Sequence, residues 1–293
     1  EGVAGSGEHT HINVSAKLKN GKVINLFAPQ DMSKDFLSPI GWGALMGLLK
    51  NYEVVNPFIA SSNDALNRLK PGFEAPTHIV ASIGRDAMTP SRNRTVLVCL
   101  VKDNTSPSSL RFEVRSPNPH TNIYLAIAAI YQAMLDGIRY AVESGKSTEE
   151  LEREFSKAPG EYSEYLETDR AYRSEEDVFE HYTEEERNRL FGVPPATVWE
   201  NLCNLRKYSE KTSVLEQGGV FEKDILNSYV TAARIQWTRE LCERIINENA
   251  ELVRRCKKLH GGKEFNDFDE DLWTRINNLR HYIMKESIRE NSL

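Results

Sequence analysis

The chain reads as an α+β protein on three observations. Strand-like segments gather before residue 116: an alternating run from 9 to 17, a return run at 23–27, a β-branched run at 95–101 and a strictly alternating run at 110–115. A long apolar helical pattern then runs from Asn122 to about 142. From Lys146 onward the chain is charged and helical in pattern, with no convincing strand. Strands followed by helices, rather than alternating with them, indicate α+β.

At 293 residues the chain is long enough for a substantial core. Its 27% charged and 40% hydrophobic residues are ordinary for a globular protein. A formal net charge of −6 argues against general nucleic-acid or anionic-membrane binding, so no nucleic acid and no membrane are expected as partners. Cys99, Cys203, Cys242 and Cys256 form no pair or framework, which fits reduced, mostly buried thiols and a cytoplasmic protein. No run reaches the roughly 20 apolar residues of a membrane span. The longest candidate, 124–135, is interrupted by Gln132 and reads as a buried core helix. No signal peptide is recognisable. The chain starts at Glu1 almost on top of its best motif, so a piece of a longer protein is expected.

Taken in order, the first strand runs to about Lys17, and Asn20-Gly21 is a two-residue hairpin signal before the return strand. Ser38 can cap a helix with Pro39 in its first turn, and Leu45, Leu48, Leu49 and Tyr52 share a face. Residues 54–60 extend it weakly, and 63–69 form a short helix that ends before Pro71-Gly72. After that loop come a strand-like run at 77–83 and a central strand at 95–101. In 110–115 the apolar side faces a core, while Arg111, Glu113 and Arg115 share the other side. The helix opened by Asn122 should bury Leu125, Ala128, Ala129, Met134 and Ile138. Charge runs at 149–154 and 184–189 read as solvated helix faces. A long helix from near Phe221 could reach His260, stopped by Gly261-Gly262. A last helix at about 269–289 carries Leu272, Ile276, Leu279 and Ile283, a seam that implies an antiparallel helical hairpin. This divides the chain into a sheet-bearing part (1–145), an acidic helical segment (146–220) and a C-terminal long helix and hairpin (221–293).

The chemistry centres on GSGEHTHIN at 5–13. Its glycines permit sharp bends and close approach to a ligand. Alternation sends His9, His11 and Asn13 to one strand face, the two histidines roughly 6.6 Å apart along the chain. Two imidazoles so spaced can share a metal, or one can hold it while the other touches a phosphate; a solvent-facing hairpin strand is the plain alternative. Glu113 and His9 are the pair best suited to a divalent cation, with Arg111 and Arg115 as flanking anion-binding forks. A surface strand laced with salt bridges is the alternative there. Arg92, Arg94 and Arg68 add guanidinium groups, and Glu74 stands between two prolines in a loop suited to a lid.

These segments, GSGEHTH at 5–11, NRLKPGFEAP at 67–76, RNRT at 92–95, RFEVRSPNP at 111–119, NIYLA at 122–126 and LEQGGVF at 215–221, resemble the catalytic domain of the glutamine synthetase family in order and spacing. The resemblance covers 5 to about 239. It implies a curved, mostly antiparallel sheet, a partial barrel of the glutamine synthetase/guanido kinase type, backed by helices and holding the site on its concave face. It assigns His9 and Glu113 to one metal (Mg2+ or Mn2+), and His11, Asn13 and Arg111 to contacts with ATP. Gly5, Arg68 and Arg115 would hold glutamate, Arg94 would stabilise the transferring phosphoryl group, and Glu74 would take a proton from ammonium and close the site. The implied reaction phosphorylates the γ-carboxylate of glutamate and lets ammonia displace the phosphate, in a protein that forms homo-oligomeric rings.

Three positions depart from the family pattern: Ala4 replaces a usual Asn, Cys99 a phosphate-binding Arg, and Asn118 a common Asp. Losing one such arginine can cost on the order of 10²-fold or more in rate. The metal-binding carboxylates of the family lie mostly before Glu1, so this chain alone is expected to be inactive. A glutamate–amine ligase, a non-catalytic binding or assembly protein of the same family, and an unrelated His-x-His zinc hydrolase are the competing readings. The last leaves the arginines unexplained.

Overall fold

The computed structural model describes residues 7–72, 75–257 and 267–284. By its internal contacts the chain divides into two units, 1–227 and 228–293.

In the first unit, β1 (Thr10–Ile12), β6 (Arg111–Val114), β5 (Val98–Val101) and β4 (Ala81–Ser82) form one sheet in the order β1-β6-β5-β4. The β1–β6 and β6–β5 pairs are antiparallel, but β4 runs parallel to β5. The sheet is therefore mixed, and no closed barrel is present among the described residues. A parallel pair needs a long connection between its strands, which the loop between β4 and β5 supplies. β2 (Ser15–Lys17) and β3 (Val23–Asn25) form a separate hairpin. The single strand expected from 9 to 17 thus splits at Asn13-Val14 between two sheets. The hairpin loop holds three residues, Lys19-Asn20-Gly21, and not the two expected: the Gly21 amide donates to the Leu18 carbonyl (2.9 Å) across Lys19-Asn20, and Gly21 takes φ 83°, the left-handed conformation that closes such a loop.

Behind the sheet lie α1 (Pro39–Lys50), α2 (Tyr52–Ile59), α3 (Asn63–Arg68) and α4 (Ile123–Ser144). Ser38 accepts from the Gly41 amide, Pro39 opens α1, and Gly41 to Leu49 are buried without a break. Asn122 caps α4 by accepting from the Tyr124 and Leu125 amides, and Gly145 ends it with φ 63°. The α1–α4 crossing is made of small residues. A Cβ on Gly47 would overlap the Ala133 carbonyl oxygen, and one on Gly137 would overlap that of Gly43. The buried stripe of α4 is accordingly Ala126, Ala129, Ile130, Ala133, Met134, Gly137 and Ala141, not the expected set. Ala129 and Met134 belong to both, whereas Leu125, Ala128 and Ile138 are only half-buried. By length and composition alone α4 is apolar enough to cross a membrane, contrary to expectation, but its small-residue face is packed against α1.

Beyond α4, α5 (Thr148–Phe155), α6 (Glu184–Leu190), α7 (Val198–Lys207) and α8 (Ser209–Glu216) follow. Residues 156–183 are not helical as their charge pattern implied. They run irregularly along β4, where Ala81 donates to the Tyr172 carbonyl (2.8 Å) and accepts from the Ser174 amide (2.9 Å). Tyr172 and Val178 anchor them in the core. Nor are the charge runs wholly solvated. Glu154 is inward, paired with Lys146 at 3.0 Å, and the buried Arg187 donates to the carbonyls of Val178 and Tyr182. Of the four thiols only Cys99 is buried; Cys203 and Cys242 are exposed and Cys256 is intermediate.

α9 (Lys223–Arg239) leads into the second unit. The expected long helix is present and runs without interruption through α9, a π-helical stretch Glu240–Ile246 and α10 (Asn247–Arg255), but it ends at Arg255 and not near His260; the Gly261-Gly262 stop lies outside the described residues. α11 (Asp267–Met284) follows. Leu272 and Leu279 are exposed, and the half-buried positions are Trp273, Ile276 and Arg280. Arg280 donates to the Val253, Arg254 and Cys256 carbonyls, closing the end of α10. The contact is therefore a cationic cap more than the predicted leucine seam, and it joins α10 to the later part of α11 instead of its start.

His78 provides a test of the first unit. It is buried between Thr77 (2.7 Å) and the Asn188 side-chain oxygen (2.9 Å), and burial lowers its pKa, with Arg187 lowering and Glu184 raising it. The unfolded chain then takes up the proton first as pH falls, so stability is fully present above about pH 6.5 and declines below it. Urea midpoints should drop as pH falls below about 6.5, and His78→Gln should flatten that dependence.

Candidate active site

The sheet register builds the site. Glu113 on β6 stands opposite His11 on β1 and Cys99 on β5, and Cys99 stands opposite Ser82 on β4. Side chains directly opposite one another share a face, so one polar row crosses the whole sheet. The other face holds Ile12, Phe112, Leu100 and Val114, buried in the core, with Phe112 stacked on Phe27 at 4.7 Å.

His9 precedes β1, whose pairing continues there through the Glu8 amide and the Pro117 carbonyl (2.9 Å). His9 Nδ1 lies 2.9 Å from Glu113 Oε1, and Arg115 Nη1 lies 2.7 Å from the same oxygen. The two groups singled out for a metal thus converge across a hundred residues of chain. Partial burial, then the Arg115 charge, lowers the His9 pKa, against the raising effect of Glu113. The imidazole is therefore neutral at pH 7, and a neutral ring donating from Nδ1 leaves its Nε2 lone pair available to a cation. A Cβ at Gly7 would come within 3.4 Å of that Nε2 and 3.1 Å of Arg68 Nη1, so glycine keeps this approach open.

The donor set fits a divalent cation in part. One imidazole and one carboxylate supply two ligands, and among the described residues no group of three or more His, Cys, Asp or Glu side chains gathers to hold an ion. Mg2+ or Mn2+, which favour oxygen-rich near-octahedral shells, would need further ligands.

Around this pair the guanidinium groups are fixed by named contacts. Arg115 is buried and donates from Nε to the Arg94 carbonyl (3.1 Å). Arg68 is buried too, and its Nη2 donates to the carbonyls of Arg115, Ser116 and Pro117 at 2.9–3.1 Å. It therefore holds α3 against the end of β6, whatever else its other nitrogens reach. Arg111 donates from Nε to His11 Nδ1 (3.0 Å) and from Nη1 to the Ser109 carbonyl (2.8 Å). Asn13 donates to the Leu110 carbonyl (3.2 Å). Arg94 and Arg92 are exposed on the wall of a cleft of about 620 Å³, shared with Arg85, Ser91, Asn93 and Glu175. Gly5 and Glu74, like Ala4, lie outside the described residues.

Cys99, where the resemblance leads to the expectation of an arginine, lies in the polar row of the sheet. It is buried, its thiol donates to the Asn93 carbonyl (2.7 Å), and burial pushes its pKa up to about 12, so it brings no charge of either sign. Asn118 is structural: its amide donates to the Ile59 carbonyl (3.0 Å) and the Thr121 hydroxyl (3.1 Å). Sequence reasoning missed Glu175, Ser82 and Arg85. Glu175 sits in the acidic run SEED at 174–177, whose only hint was its flanking Arg173.

The family described as glutamine synthetase, catalytic domain, matches residues 1–166. The glutamine synthetase of Aquifex aeolicus is 35% identical over 145 residues, 48% of this chain and 27% of the relative. That of Bradyrhizobium diazoefficiens is 32% identical over 229 residues, 77% of this chain and 38% of the relative. The chain thus spans well under half the length of these curated relatives. Among solved structures, the Plasmodium falciparum glutamine synthetase aligns with a TM-score of 0.55 at 20% identity, covering 84% of this chain and 47% of that one. At that identity the likeness is one of fold.

Proposed function

Because the chain belongs to the glutamine synthetase family, we propose that it is the C-terminal catalytic portion of an ATP-dependent glutamate–ammonia ligase, making glutamine through a γ-glutamyl phosphate. The observation that carries this is the convergence of His9, Glu113 and Arg115 within hydrogen-bond distance on one sheet face. A bound Mg2+ or Mn2+ would neutralise the ATP phosphates and polarise the γ-phosphate for transfer. His9 and Glu113 would hold it, and the carboxylate would keep Arg115 aimed at the substrate face. His11 and Arg111, hydrogen-bonded to each other beside Glu113, would bind the nucleotide together with Asn13. Arg68 and Arg115 would bind the carboxylates of glutamate beside the Gly5 backbone. Arg94, from the cleft wall, would stabilise charge spreading over the transferring phosphoryl group, where preorganised cations act most strongly. Glu74 would accept the proton as ammonia attacks, and the loop bearing it would shield the acyl phosphate from water. The curved partial barrel, homo-oligomer and cytoplasmic location go with this reading.

The cation needs more ligands than the described residues gather, so the chain alone should be inactive. Purified chain supplied with ATP, glutamate, ammonia and Mn2+ should release no phosphate above background. A longer polypeptide that supplies the missing carboxylates should do so. Measurable glutamine from the chain by itself would overturn the proposed incompleteness. Running the longer polypeptide with ammonia and with alkyl amines separates the synthetase from a γ-glutamyl-amine ligase, the second reading that the uncharged Cys99 favours. Failure with every amine would leave the non-catalytic binding role.

A further inference from the structure

The geometry points to Glu175, with Cys99, as a positioning residue that sets the Arg92–Asn93–Arg94 wall of the cleft. Both the cleft's role and Arg94's rest on the function just proposed; the clamp itself rests on contacts alone.

Glu175 lies beyond residues 1–166, the stretch that the family model matches, in the irregular 156–183 segment. Its carboxylate accepts from the Ser82 hydroxyl (2.5 Å), the Gly84 amide (2.9 Å), the Ile83 amide (3.2 Å) and Arg173 Nε (2.9 Å). Charge-assisted bonds of this kind are the stronger ones. Ser82 is also 2.5 Å from the Ser91 hydroxyl. The carboxylate therefore holds the start of the loop from Gly84 to Ser91 directly and reaches its end through the Ser82 hydroxyl, at the edge of the sheet row that carries Glu113.

The adjoining stretch is held from the same side. Asn93 donates to the Glu176 carbonyl (2.7 Å), and Arg85 pairs with the Glu176 carboxylate (2.7 Å). From beneath, the Cys99 thiol donates to the Asn93 carbonyl, the peptide unit joining Arg94 to its predecessor. The residue that stands where the resemblance implies an arginine thus bonds to the backbone next to Arg94. A group acting through the backbone at this range matters, because misplacement by about 1 Å can cost on the order of 10²-fold in rate.

The test uses the purified chain, with pyrophosphate as the probe of the arginine wall and amide hydrogen exchange as the probe of the clamp. Wild type, Glu175→Ala, Glu175→Asp, Cys99→Ala and Cys99→Ser are titrated by calorimetry at low salt. Glu175→Ala should weaken pyrophosphate binding by roughly tenfold and speed exchange across 84–95 while α1 and α4 keep their protection. Glu175→Asp should recover part of the affinity. Cys99→Ser, whose hydroxyl still donates, should resemble wild type, and Cys99→Ala should not. Glu175→Ala with wild-type affinity and wild-type exchange at 84–95 would overturn the clamp. So would loss of protection spread evenly over the first unit, which marks a merely structural role. If wild type itself fails to bind pyrophosphate, the phosphate reading of the cleft falls, and the exchange comparison still decides the clamp.

Discussion

Gly137→Val should destabilise the first unit by about 3 kcal/mol or more, although valine is a better helix former than glycine. The crowding is backbone against backbone: a Cβ at 137 meets the Gly43 carbonyl oxygen and the Gly47 amide and Cα. None of these can rotate away as a side-chain end could, so α1 and α4 must separate. Separation uncovers Leu45, Leu48 and Met46, all fully buried on the helix that moves. Propensity favours the substitution by only about half a kcal/mol. Packing therefore decides the sign, and a urea midpoint that rises would contradict the crossing described here. Val142→Ala, on the exposed side of α4, is the control and should stay within about 0.5 kcal/mol of wild type.

The same helix shows where sequence reading stops. α4 is apolar on more than one side, so periodicity allowed several buried stripes, and the larger residues were the natural choice. What selects the small ones is a partner: Gly43 and Gly47 let the backbones approach only where α4 also offers Ala133, Gly137 and Ala141. A helix cannot disclose its neighbour's glycines. The β6 strand is the opposite case. Strict alternation in RFEVR sends charges to one face whatever lies opposite, and the short-range signals at Asn20-Gly21, Ser38-Pro39 and Asn122 are likewise local.

Site residues divide along the same line. His9, His11, Arg111, Glu113 and Arg115 were legible because period two places them on one face, and the strand register then brings β1 and β6 together. Arg68 was legible as a guanidinium but not in its bonds to three carbonyls, which depend on where α3 meets β6. Glu175 was hidden, since a carboxylate in an acidic run looks solvated until its donors from β4 and Arg173 are in place. The direction of β4, and the irregular path of 156–183 beside it, depend on such aperiodic contacts too.

Glu113→Gln should lower turnover of the catalytically complete polypeptide by roughly 10²–10³-fold and weaken its Mn2+ affinity, with little change in fold. The amide keeps the shape of the carboxylate and can still accept from His9 and Arg115. It removes the negative charge, which a divalent cation and a neighbouring guanidinium both require. His9 stays neutral in the variant, because burial and Arg115 lower its pKa and the raising influence of Glu113 is what disappears. A loss of activity would thus reflect the missing carboxylate and not a newly charged imidazole. Glu113→Ala should add a stability cost of about 3 kcal/mol, because Arg115 is buried and loses its carboxylate. Urea unfolding beside the kinetics separates the two effects. His9→Ala should cost a similar factor, and the double substitution should cost little more than either alone, since both residues would serve one cation. Costs that multiply would mean that the two side chains serve separate ends, and a folded Glu113→Gln enzyme with near-normal turnover would remove the carboxylate from the chemistry altogether.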